Sequence, residues 1–96
     1  MLSTIEPVSC LQKDVDYPGN DINGKCGEQP EKWRREDPSD CIALCKSVEG
    51  CDHFTWVSTE SEWNDGRKRC CLKKGNPVVQ KSFNVVSAVV SNCEGI

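Results

Sequence analysis

Ninety-six residues, 36% of them hydrophobic and only three Trp, two Phe and one Tyr among them, make one domain whose core is too thin to hold by burial alone. A net charge of −3, with no basic stripe interleaved with aromatics, argues against nucleic acid as a partner. Eight cysteines in so short a chain instead point to an oxidising compartment and a disulfide framework.

Zinc is the competing use of those thiols, and the pattern does not suit it: His53 is the one histidine, and no pair of CxxC knuckles has zinc spacing. No metal and no cofactor is expected. No stretch is long or apolar enough to span a bilayer, so direct membrane insertion is not expected either. MLSTIEPVSC has neither the basic start nor the apolar run of a signal peptide. The expectation is a single unit over 1–96, with its core at 10–93, excised from a larger secreted protein of several units, Met1 being a cloning start.

In chain order, residues 8–17 (VSCLQKDVDY) have a mostly extended composition, and a first strand is expected over 10–15. YPGNDINGKCG follows, punctuated by Pro18, Gly19, Asn20, Asn23, Gly24 and Gly27, and reads as a loop held by Cys26. Residues 28–36 are charged and contain Trp33, whose ring either packs on the domain, the favoured reading, or stands outside as a contact.

Residues 37–51, DPSDCIALCKSVEGC, predict a helix. Asp37 is the expected N-cap, Pro38 suits the first helical position, and Asp40 adds negative charge at the positive end of the dipole. Cys41, Leu44, Cys45 and Val48 fall at i, i+3, i+4 and i+7, so two thiols and two aliphatic side chains share one inward face. Gly50 is placed to end the helix in the left-handed region, with Cys51 close enough to reach back to Cys45.

HFTWV at 53–57 alternates aromatic and β-branched residues as a strand does, with Phe54 and Trp56 on one face. His53 and Thr55 then face the other way, and His53 is expected to be solvated or hydrogen-bonded rather than a ligand. A polar loop turns at Asp65-Gly66, and a second strand over 69–74 completes a hairpin with a long tip. Trp63 in that tip is the leading candidate for an exposed aromatic contact. Cys70 and Cys71 are adjacent, so on a strand they point to opposite faces and need different partners. Val78 and Val79 suit a short edge after Gly75-Asn76-Pro77, and 85–90 (VVSAVV) is the strongest strand signal, suited to a central position. A bond from Cys93 to Cys10 would tie the termini, closing a loop worth about 4 to 5 kcal/mol in chain-entropy terms.

Taken together, a cysteine near the start, DYPGNDI, a helix with C-x3-C-x5-C, HFTW, a cysteine followed by LKK, and VVSAVVSNC resemble a PAN/apple domain over nearly the whole chain. VDYPGNDI and CDHFTW are most similar to the PAN modules repeated in microneme adhesins of apicomplexan parasites. The resemblance implies an α+β, disulfide-rich fold in which one helix packs on a curved antiparallel sheet. It also implies the pairs Cys10 with Cys93, Cys41 with Cys70, and Cys45 with Cys51. Cys26 and Cys71 are additions to the family pattern, and an added bond between them is the economical expectation. About 105 pairings of eight cysteines exist, and the choice between Cys70 and Cys71 for the helix stays open at this point.

The resemblance implies a non-enzymatic, secreted adhesion module, held in a secretory organelle before release. Its partner would be a host-cell surface protein or glycan, or another adhesin of the same complex. Some microneme modules of this type are similar to galactose binders, but no residue here marks a sugar site, so a protein partner or scaffold is favoured. A second reading places binding in charge: Arg67, Lys68, Arg69, Lys73, Lys74 and Lys81 could face a sulfated, heparin-like glycan. Against it, lysines on edge strands are common because they discourage edge pairing. A protease inhibitor presenting Arg67 or Lys68 from the hairpin loop is a third reading. An enzyme has little support, since His53 is the one plausible base and the thiols are expected to be oxidised.

Overall fold

The computed structural model describes residues 10–22, 33–58 and 68–93. Four strands form one antiparallel sheet: β1 (Gln12–Asp16), β2 (His53–Val57), β3 (Arg69–Lys73) and β4 (Gln80–Val89). Their spatial order is β1-β4-β2-β3, so HFTWV and the valine-rich β4 take the two inner places. Those segments carry the β-branched and aromatic side chains that pack well when both strand edges are paired. One helix, α1 (Asp40–Ser47), lies between β1 and β2 in sequence, and a short 3-10 turn (Val90–Cys93) follows β4.

The register shows how the two faces separate. Phe54 stands between Leu72 and Ala88, and Trp56 between Cys70 and Val86; His53, Thr55 and Val57 alternate onto the other face. Phe54, Trp56, Leu72, Cys70 and Ala88 form the main core with Cys41 and Cys45 of α1, joined by Trp33, Cys10, Val90 and Cys93. Ile42, Leu44 and Val48 pack half-buried against it. On the opposite face a smaller cluster joins Val57, Cys71 and Val85. All five residues of β2 are therefore buried, where a solvent-facing strand would expose every second one.

Among the described residues three disulfides tie this arrangement: Cys10–Cys93, Cys41–Cys70 and Cys45–Cys51, spanning 83, 29 and 6 residues. Cys70, not Cys71, bonds the helix. Cys71 is also disulfide-bonded, and its expected partner Cys26 lies outside the described residues. The alternation of adjacent strand side chains explains the division, because Cys70 points to the helix and Cys71 away from it.

The helix starts later than the sequence suggests. Ser39 occupies the N-cap position without a side-chain cap bond, and Asp37, the expected cap, sits in the preceding turn. There the N–H groups of Asp40, Cys41 and Ile42 bond the carbonyls of Asp37, Pro38 and Ser39, at 3.0, 3.0 and 3.2 Å. These i to i+3 bonds satisfy the first orphan donors through backbone alone, which removes the need for a carboxylate cap. Gly50 does adopt a positive φ, +89°, but after the helix has ended. It closes a separate turn in which the Cys51 N–H bonds the Val48 carbonyl at 3.0 Å. That turn brings Cys51 back to Cys45.

Two further expectations change. The first strand covers Gln12–Asp16, with Cys10 in a turn before it, and Val78 and Val79 form no strand but lie exposed ahead of β4. Between β1 and β4 the register slips: Lys13 faces Val86, yet Val15 faces Lys81. Asp14 and Asn84 absorb the slip at φ +59° and +67°, and the Asn84 N–H donates to Asp14 Oδ1 at 3.0 Å.

Candidate binding surface

The hairpin basic residues were the leading charge-bearing candidates, and β3 sorts them by alternation. Arg69, Cys71 and Lys73 project away from the helix, while Cys70 and Leu72 project toward it. Although β3 ends the sheet, it is covered by two short backbone segments. Arg34 bridges to Arg69, with the Cys70 N–H bonding the Trp33 carbonyl at 2.8 Å; Asp21 bridges to Lys73, with the Ile22 N–H bonding the Leu72 carbonyl at 2.9 Å. These segments occupy an edge that would otherwise be open to other strands. They also bury the two cations, Arg69 at 7% exposure and Lys73 at 4%.

Lys73 is held by the Gly-Asn-Asp turn. Gly19 and Asn20 take positive φ values of +82° and +62°, a geometry suited to Gly and tolerated by Asn. The turn brings the Gly19 carbonyl to 3.1 Å and the Asp21 carboxylate to 2.5 Å from Lys73 Nζ. The Lys74 N–H bonds the Asn20 carbonyl at 3.1 Å, and Asn20 Nδ2 donates to the Asn76 carbonyl at 3.0 Å. A buried ammonium is tolerable only with such partners. The distinctive DYPGNDI segment thus serves a lysine inside the domain.

The expected basic patch is therefore corrected at two positions. Arg69 and Lys73 are buried in the fold and do not face a ligand. Lys68 is half-buried and pairs with Glu36 at 3.3 Å, Lys74 is exposed beside the turn, and Lys81 lies on β4. Arg67 and Trp63 lie outside the described residues. Trp33 belongs to the core at 2% exposure, so its ring is not a contact surface. The carbonyl that follows from this placement, that of Trp33, supports Cys70, while Trp56 Nε1 donates to the Arg35 carbonyl at 3.0 Å.

His53 is buried at 0% exposure, not solvated, because the face it occupies is covered. Its Nδ1 lies 2.5 Å from Asp52 Oδ1, and its ring meets Tyr17 edge-on, with centroids 5.4 Å apart and planes at 83°. Asp52 Oδ2 accepts the Gly75 N–H at 2.9 Å, so one carboxylate links the histidine to the turn after β3. Beside them Ser87 donates to the Val15 carbonyl, and Thr55 Oγ1 stands 2.7 Å from Ser87 Oγ and 3.1 Å from Asp16 Oδ1, so its single proton is divided between these two acceptors. Burial pushes the Tyr17 hydroxyl above tyrosine's ordinary 10.0. These are groups that catalysis could use, but His53, Thr55 and Ser87 are closed to any substrate. Among the described residues no cysteine is free, and no three His, Cys, Asp or Glu side chains converge as a metal site.

A different concavity lies at the β1 side of the sheet. Lys13, Asp14, Val15, Val79 and Lys81 line a cavity of about 360 Å³. Phe83 is 66% exposed nearby, with Lys81 Nζ 5.1 Å from its ring centroid, and Val78 and Val79 are similarly exposed. Sequence reasoning passed over Lys13 and Phe83. The available signal was KSFNVV, where a large aromatic precedes Asn84, a residue that tolerates the left-handed bulge.

No described helix is long and apolar enough to cross a membrane. The PAN domain family model matches residues 15–73, more than half of the chain. Micronemal protein 4 of Toxoplasma gondii is 46% identical over 37 residues, which is 38% of this chain and 5% of that protein. The chain thus corresponds to a small part of that relative's length, and no solved structure matches it. With the family match falling on the Gly-Asn-Asp turn, the helix and the β2–β3 hairpin just described, the chain belongs to the PAN domain family, in its disulfide-rich α+β form, and is similar to a micronemal protein.

Proposed function

We propose that this domain is a non-enzymatic extracellular module that attaches, without chemistry of its own, to a protein or glycan on a host-cell surface. The observation that carries the reading is the PAN match combined with the micronemal relative. The use of the polar side chains supports it: His53, Lys73, Thr55 and Ser87 are consumed in holding the fold, which leaves recognition to exposed surfaces. The disulfides fit a secreted protein, released from a secretory organelle and working as one unit of a longer chain.

The test is a glycan array run beside a pull-down from host-cell membranes with the folded, oxidised domain. Saturable retention of a defined glycan or a membrane protein is expected, and retention should be lost on reduction of the disulfides. Retention equal to that of an unrelated disulfide-rich domain in both assays would remove the reading.

A further inference from the structure

We propose that the cavity between β1 and the start of β4 binds an anionic saccharide, a sugar unit carrying a carboxylate or a sulfate. The inference rests on the adhesion reading above and assigns it a site and a ligand class.

Four observations converge there. The cavity, about 360 Å³, has the volume of a small-ligand site. Its two cations, Lys13 and Lys81, pair with no carboxylate among the described residues, in contrast to Lys68 and Lys73, which pair with Glu36 and Asp21. Asp14, the acid of the lining, is engaged by the Asn84 N–H through Oδ1. In a chain of net charge −3, a lining that holds two ammonium groups and the one carboxylate of Asp14 keeps a net positive charge, a local reversal of sign that favours an anion.

The apolar part of the site selects among anions. Val15 and Val79 wall the cavity, and Phe83 stands beside it with its ring largely open to solvent. An exposed aromatic ring next to an ammonium offers an apolar face for a sugar's C–H face and a charge for its acidic group. Large exposed apolar side chains grouped in this way mark an interaction site more often than a bare surface.

The shape of the edge argues against an acidic peptide as the occupant. An extended peptide adds to a sheet through continuous main-chain pairing along an edge strand. β1 breaks that continuity at Asp14, whose left-handed φ of +59° sits where the register slips. Asp14 and Asn84, residue types that tolerate the left-handed region, hold the slip in place on the two strands.

The experiment titrates the 15N-labelled oxidised domain with a glucuronate-containing disaccharide, its sulfated counterpart, and neutral lactose, following backbone amide shifts. Both anionic sugars, or one of them, should shift amides of residues 13–15 and 79–83, and lactose should not; the stronger of the two identifies carboxylate or sulfate as the recognised group. The double variant Lys13→Glu/Lys81→Glu should weaken binding at least tenfold, and Phe83→Ala at least threefold. Lys74→Glu, on the opposite edge, should leave it unchanged. Native-like amide dispersion in each variant separates lost binding from lost folding. Shifts confined to other residues, binding of the double variant within twofold of wild type, or an acidic peptide shifting these amides when neither sugar does would overturn the proposal. If host-membrane retention survives in the double variant, the site fails and the adhesion reading stands; if the wild type shows no retention at all, the adhesion reading itself fails.

Discussion

The two faces of the sheet are built on different physics, although β2 contributes to both. Toward the helix, Phe54 and Trp56 meet Leu72, Ala88 and the Cys41–Cys70 bond, a contact that is apolar and non-directional. Away from it, His53 and Thr55 enter a network with Asp52, Asp16, Tyr17 and Ser87, with Lys73 clasped by Asp21 at its end. The first face stabilises through area removed from water. The second contributes through geometry, since each buried polar group there costs free energy if its partner is lost. One strand with a two-residue period can serve both because neither face is left to solvent.

Substitutions at neighbouring positions measure that contrast. Phe54→Ala leaves a cavity beneath the helix and should cost about 3 to 5 kcal/mol, read as the shift in denaturant midpoint at constant slope. Lys73→Met leaves the Asp21 carboxylate without its cation and should cost about 3 kcal/mol. Combining it with Asp21→Asn should recover part of that loss, because the double variant no longer holds an unpaired buried charge; strict additivity of the two would show that the ion pair is not coupled. Thr55→Val keeps the volume and removes the hydroxyl shared by Ser87, Asp16 and the Tyr17 N–H, for about 1 to 2 kcal/mol in thermal unfolding. A loss as large as that of Phe54→Ala would erase the distinction between the faces.

The smallest expected effect is a pH dependence. Folded Tyr17 keeps its proton above the ordinary 10.0, so the unfolded chain ionises first as pH rises. The stability this provides is complete below about pH 10 and falls as pH climbs through the folded value. Tyr17→Phe should flatten the decline in stability between pH 9 and 11 by roughly the share of one titrating group, while also losing the Gln12 contact at 2.5 Å. An unchanged alkaline slope would show that Tyr17 does not hold its proton in this way.

Much of the scaffold was legible. HFTWV and VVSAVV announced the inner strands by residue type, C-x3-C on a helical period put Cys41 and Cys45 on one buried face, and adjacent cysteines on a strand required Cys70 and Cys71 to diverge. The helix start was less so, because Asp37 offered a cap that the turn's own backbone bonds made unnecessary. The binding candidates fared worst. Arg69 and Lys73 look like surface charges in RKRCCLKK, and Lys13 looks like nothing in particular.

What the sequence determined by itself is local: periodicities of two and of three to four, turn residues, and a cysteine content that demands cross-links. These depend on near neighbours, and near neighbours are written side by side. Which lysine is buried and which is exposed was decided only by tertiary structure. Lys73 is neutral in effect because a turn 52 residues earlier in the chain folds over it. Lys13 and Lys81 share a cavity because a register slip between β1 and β4 brings them together. Charge has no period that marks its partner, so its fate is settled where distant segments meet.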